Sequence, residues 1–176
     1  LAQRRAGALE WIAKDMGFYD KVGLDVEIKG YPSGKEAADA LKAGQVDVAT
    51  ASEYVVASRS FSEPELRILG NIAYYRNKGI VGRRDRGIGK PADLKGKRIG
   101  VTSPSGAEYS LNVFLALHGL TVQDVVSVNL APKQIVEAMA AGSIDATITW
   151  QPHVQTIEKK LGANAVSFQG DGLDTY

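Results

Sequence analysis

Residues 35–48, Lys-Glu-Ala-Ala-Asp-Ala-Leu-Lys-Ala-Gly-Gln-Val-Asp-Val, are written a second time at residues 133–146, Lys-Gln-Ile-Val-Glu-Ala-Met-Ala-Ala-Gly-Ser-Ile-Asp-Ala, 98 positions further on. The two stretches align without a gap, share Lys, two Ala, Gly and Asp, and exchange Leu for Met and Val for Ile. Each reads as a helix, a glycine stop and a buried strand, and each follows an extended stretch, Val26-Glu-Ile-Lys29 and Val126-Ser-Val-Asn129. The repeated unit is therefore strand, helix, strand. Its spacing is far longer than the roughly 20–50 residues of a solenoid repeat. Two similar α/β lobes with a ligand cleft between them are expected, since clefts between domains are favoured sites for small molecules.

The remaining elements follow the same rhythm. Leu9, Ile12, Ala13 and Met16 recur at helical spacing over Ala8–Met16, and Gly17 ends that helix. Gly23–Ile28 alternates as a strand, and Ser33 with Glu36 forms a capping box opening the helix that Gly44 closes. Val46–Ala51 is the next strand and Ser52 caps a short helix to Arg59. Arg67–Tyr75 and Gly79–Gly82 read as two strands that break the strand-helix rhythm. Then come one helical turn after Pro91, a strand at Arg98–Val101, a helix to His118 with a Ser105/Glu108 capping box, and a strand at Val126–Leu130. A helix after Pro132, a strand at Ala146–Trp150, a helix over Pro152–Leu161 and a strand at Ala165–Phe168 complete the series. Alternation of this kind predicts mostly parallel sheets. Both ends look trimmed: the chain starts directly on a helix and stops at Asp171–Tyr176 with no closing element.

Composition removes several classes. Hydrophobic residues at 44% and charged residues at 23% suit a globular chain, and a net charge of +1 gives no reason to expect nucleic acid or an anionic membrane as a partner. The Arg83-Arg84-Asp85-Arg86 cluster reads as a solvated loop. Without cysteine there is no disulfide, thiolate metal site or cysteine nucleophile. No apolar run reaches membrane-span length, and no signal peptide is present in the sequence. His118 and His153 are the two histidines, with no carboxylate at metal-ligand spacing, and no catalytic set or Walker-type glycine motif assembles. Neither catalysis nor a metal or cofactor is expected.

The chemical signal lies in the turns that follow strands. A strand ending in Ser-Gly before a helix offers free N–H groups, a hydroxyl and the positive end of the helix dipole, a combination that favours anions. In open α/β sheets ligands bind beyond the carboxyl ends of the strands. Ser33, Gly34, Thr50, Ala51 and Ser52 from one lobe would then face Ser103, Ser105, Gly106, Trp150 and Gln151 from the other. Arg5 could neutralise an anion, and Tyr74 could face the pocket from its strand. Alternatively Ser33 and Ser105 only cap helices, at about 1 kcal/mol each, and Trp150 is a core or rim side chain. Trp11 reads as core.

Four segments carry a family resemblance: Gly17-Phe-Tyr-Asp-Lys-Val-Gly-Leu-Asp-Val-Glu-Ile28, Ala40-Leu-Lys-Ala-Gly-Gln-Val-Asp-Val-Ala-Thr50, Pro91-Ala-Asp-Leu-Lys-Gly-Lys-Arg-Ile-Gly-Val101 and Trp150-Gln-Pro-His153. They resemble, in order and over nearly the whole chain, the solute-binding proteins of ABC importers for nitrate, sulfonate, taurine and thiamine-precursor pyrimidines, a branch of the type II periplasmic binding proteins. The resemblance implies an exported, periplasmic or extracytoplasmic, monomeric protein whose two lobes close on a small anionic solute and deliver it to a membrane permease. It divides the chain into a first lobe at 1–75 lacking its first strand, a first crossover at 76–90, a second lobe at 91–167 and the start of a return crossover at 168–176. Gln151 stands where relatives often carry an acid. The alternatives are a ligand-sensing domain of a membrane receptor and an enzyme on the same scaffold.

Overall fold

The structure is a computed structural model and describes residues 8–72 and 78–168. The chain divides into two compact units, Leu1–Tyr74 and Tyr75–Tyr176. The first copy of the repeat lies in one unit and the second copy in the other.

Among the described residues the first unit contains the α-helices α1 (Ala8–Asp15), α2 (Gly34–Lys42) and α3 (Glu53–Ser60). Among the described residues it contains no strand, so the strands expected at Gly23–Ile28 and Val46–Ala51 are not formed, nor is the described part of the one expected at Arg67–Tyr75. Alternation fixes which way side chains point, but a strand also needs a neighbouring backbone. Here the carbonyls of Val26 and Gln45 accept instead from the ammonium groups of Lys14 and Lys29. The apolar side chains of these segments stay in contact with water: Val48 is 62% exposed and Leu69 81%. Helix α1 likewise buries none of its residues, and Trp11, expected in a core, is exposed.

The second unit is a three-layer α/β/α sandwich. Its strands are β1 (Lys78–Arg83), β2 (Arg98–Val101), β3 (Val126–Asn129), β4 (Ala146–Trp150) and β5 (Ala165–Phe168), in the order β3-β2-β4-β1-β5. Its helices are α4 (Gly106–Leu117), α5 (Pro132–Ala141) and α6 (His153–Leu161). Strands β2, β3, β4 and β5 run in one direction, each joined to the next by one helix. Only β1 opposes them, wedged antiparallel between β4 and β5. It comes from the stretch that breaks the rhythm in the sequence, and with no crossover helix before it nothing requires it to run parallel.

Alternation along the strands then assigns two cores. Ile80, Ile99, Val101 and Ile148 face α4 with Leu111, Phe114 and Leu115, while Val81 faces α5 and α6 with Ile135, Met139 and Ile157. Helix α5 ends at Gly142 in the left-handed conformation, φ 71°, matching Gly44 after α2 at φ 67°. Arg84, Asp85 and Arg86 are exposed, as expected of a solvated loop, but two of the arginines also bond the end of α5. Arg83 is mostly buried, pairs with Asp85 at 2.7 Å and donates to the Met139 carbonyl, and Arg86 donates to the Gly142 carbonyl at 3.3 Å. Guanidinium groups thus satisfy the last carbonyls of α5, where cations complement the helix dipole.

Thr147 and Thr149 share the sheet face that α5 and α6 cover, and both are wholly buried. The Thr147 hydroxyl donates to the Gly100 carbonyl at 2.7 Å, whereas the Thr149 hydroxyl has no partner among the described residues. An unpaired buried hydroxyl carries a desolvation cost that a methyl group does not. Thr149→Val should therefore raise stability by about 1 kcal/mol and Thr147→Val lower it by about 1 kcal/mol. Urea titration of both variants checks the opposite signs; a loss at Thr149→Val would mean that its hydroxyl is satisfied in solution.

Candidate functional site

Within the first unit the Ser33-Gly34 turn and the Ala51-Ser52 turn lie against one another. A side chain built on Gly34 would begin 3.0 Å from Ala51 Cα and 3.2 Å from its Cβ, so glycine is what permits this approach. Ser33 accepts from the Lys35 N–H at 3.2 Å and donates to the Glu36 carboxylate, so its hydroxyl is committed to capping α2. Ser52 stands at the N-cap of α3, but its hydroxyl makes no capping hydrogen bond and, among the described residues, has no other partner. Thr50 and Ala51 are exposed beside it.

In the second unit, α4, α5 and α6 start directly beyond the carboxyl ends of β2, β3 and β4, three adjacent strands that run the same way. Their N-termini therefore open along one edge of the sheet. Ser103 is fixed there by a reciprocal clasp, its N–H donating to Asn129 Oδ1 at 3.0 Å and its carbonyl accepting from Asn129 Nδ2 at 3.4 Å. Its hydroxyl donates to Glu108 Oε1 at 2.7 Å. The expected Ser105/Glu108 capping box is thus rearranged: Glu108 takes the Ser103 hydroxyl. Ser105 is buried, accepting from the Ala107 N–H at 3.1 Å and donating to the Thr102 carbonyl at 2.5 Å. Gly106, the first residue of α4, is also buried.

Trp150 is half-buried at the end of β4, packed on the α4 core, with its indole edge-on to the His153 ring at 6.3 Å. Gln151 Oε1 accepts from the Gln155 N–H at 3.2 Å and so caps α6. Burial, and then the charge of Lys133, hold the His153 pKa below the usual histidine range.

The structure thus groups Ser33, Gly34, Ala51 and Ser52 in one unit, and Ser103, Ser105, Gly106, Trp150 and Gln151 along one edge of the other. Arg5 and Tyr74 lie outside the described residues. The sequence did not single out Asn129, His153 or Lys133 for a site; the one available signal was that each sits at or next to a strand-to-helix junction. Among the described residues no group of three or more His, Asp or Glu is placed to hold a metal ion.

Over 151 residues the chain is 30% identical to the taurine-binding periplasmic protein of Escherichia coli, covering 82% of this chain and 45% of that one. A solved structure of the alkanesulfonate-binding protein of Xanthomonas axonopodis pv. citri, bound to MOPS, matches with a TM-score of 0.82 and 25% identity over 96% of this chain and 59% of that chain. The periplasmic aliphatic sulphonate binding protein of Escherichia coli, at TM-score 0.70 and 20% identity over 89% of this chain and 51% of that one, shares the fold. The chain spans about half the length of the curated relatives it matches. The family model described as NMT1/THI5 like matches residues 8–175, and the chain belongs to that family.

Proposed function

We propose that the chain is the solute-capturing part of an extracytoplasmic binding protein that serves an ABC importer, that it takes a small acid of the sulfonate class, and that its role is non-catalytic. The observation that carries this reading is the convergence of three helix N-termini on the carboxyl edge of β2, β3 and β4. Three sets of N–H groups and three positive dipole ends at one edge favour an anion over a neutral molecule. The named relatives, which bind taurine and an alkanesulfonate, support that chemistry. On this reading Ser103 and Trp150, at that edge of the second unit, meet the solute. Delivery to a membrane permease and an extracytoplasmic location belong to the same proposal; no helix among the described residues is long and apolar enough to cross a membrane.

The test is thermal unfolding of the 176-residue chain with taurine, ethanesulfonate and nitrate, and with glycerol as a neutral control. A bound anion should stabilise the chain by about 2.7 kcal/mol at a hundredfold excess over its dissociation constant. If none of the three anions moves the melting temperature relative to glycerol, the anion reading is wrong.

A further inference from the structure

Three basic side chains reach the carboxyl edge of the second unit's sheet from three different elements. His153 opens α6, Lys133 is the second residue of α5, and Lys78 begins β1 directly opposite Trp150 in the β1/β4 register. Among the described residues, neither lysine side chain has an ion-pair or hydrogen-bond partner, and the His153 ring makes no hydrogen bond. The amino edge of the sheet is arranged differently, for there Arg83 pairs with Asp85 and Arg98 with Asp145. Glu108 is the carboxylate nearest in the chain to the serine turn, but it starts from α4, on the other face of the sheet, and accepts from Ser103. The half-buried imidazole is held edge-on against Trp150, the indole that walls this edge. The charged form of a half-buried imidazole is disfavoured by burial and by the exposed Lys133 ammonium, and a negative group bound at this edge relieves that.

Resting on the reading above, we propose that His153 and Lys133 together anchor the acid group of the solute, and that His153 takes up one proton from solvent as the solute binds. The proton goes to the free ring nitrogen of the imidazole, and the resulting imidazolium and the Lys133 ammonium share the anion's charge. The direction of linkage follows from the surroundings. In the empty protein, burial and the Lys133 charge keep the His153 pKa below its ordinary range. A bound anion offsets Lys133 and raises that pKa. Affinity is therefore highest below the empty-state pKa, falls as pH rises through the window between the empty and occupied values, and levels off above it. Of the charged groups on the packed elements, Lys133 from α5 acts against the imidazolium and Lys78 from β1 stands on the same edge; an anion offsets the Lys133 charge.

Calorimetric titration of the full chain with ethanesulfonate, in phosphate and in Tris at the same pH, measures proton uptake directly. The expected result is net uptake near neutral pH and an affinity that weakens about tenfold from about pH 5 to about pH 8. His153→Gln should abolish both the uptake and the pH dependence. Lys133→Ala, a change at an exposed position, should weaken binding about tenfold and raise the His153 pKa in the empty protein, read by the NMR titration of its ring with His118 as internal reference. Sulfonate binding that is independent of pH and unaltered in both variants would overturn the anchor while leaving the proposed function in place. No sulfonate binding at any pH would overturn both.

Discussion

Ile148→Ala is expected to lower the unfolding free energy of the second unit by about 2–5 kcal/mol, the range for removing a fully buried aliphatic side chain. Ile148 is 0% exposed on β4, the middle strand of the sheet, opposite Ile80, which is also 0% exposed. Both belong to the cluster under α4 with Leu111, Phe114 and Leu115. The loss is large because β4 is paired on both sides, so its backbone cannot relax into the space that the missing atoms leave. Leu117→Ala, at the last residue of α4 and 63% exposed, should change stability by about 0.5 kcal/mol or less. Guanidinium denaturation followed by Trp150 fluorescence and far-UV circular dichroism compares the two. Near-equal effects would mean that the core does not lie between β4 and α4.

Arg59→Ala is expected to cost the first unit about 3 kcal/mol. Only Ala38, Ala40 and Val55 are buried along α2 and α3, so apolar contact between these helices is small. Arg59 compensates by joining them: one arm of its guanidinium reaches Asp39 on α2, and the other reaches Glu63 at 3.2 Å. The side chains of Arg59 and Glu63 are only 14% and 9% exposed, so removing the arginine leaves a largely buried carboxylate with Lys42 alone. Lys42 is well exposed, and Lys42→Ala should cost less than about 1 kcal/mol. Lys35 first, and then Arg59, hold the Asp39 pKa below its ordinary value. The stabilisation from Asp39 is therefore present above the ordinary aspartate range and is lost as pH falls through the lowered value. Equal losses for the two variants in urea titrations would show that Arg59 is no hub.

Family and element type were legible because both reside in short runs of sequence. Arg98–Val101, Ala146–Trp150 and Ala165–Phe168 are strands at the expected limits, and Pro132 and Ser105 mark the starts of α5 and α4. Capping and glycine stops act over about one helical turn, so nearby residues encode them completely. The site was legible only in part. That Ser33 and Ser105 precede helices was clear, but whether each hydroxyl remained available depended on which carboxylate reached it. Glu36 takes Ser33, Glu108 takes Ser103 rather than serving Ser105, and Ser52 is left uncommitted.

The sequence by itself determined the repeat, the helix and strand boundaries of the second unit, and membership of a family of solute-binding proteins. Only the three-dimensional fold set β1 against its two neighbours β4 and β5, brought Arg83 and Arg86 to the end of α5, coupled α2 to α3 through Arg59, and placed Lys133 where its charge lowers the His153 pKa. Tertiary structure also left Gly23–Ile28 and Val46–Ala51 outside any ladder despite their alternation. The physical reason is common to all of these. Side-chain periodicity and caps are set by neighbours within a few residues, whereas strand pairing, the burial of a charge and the shift of a pKa depend on groups that lie tens of residues away in the chain and are brought close only by folding.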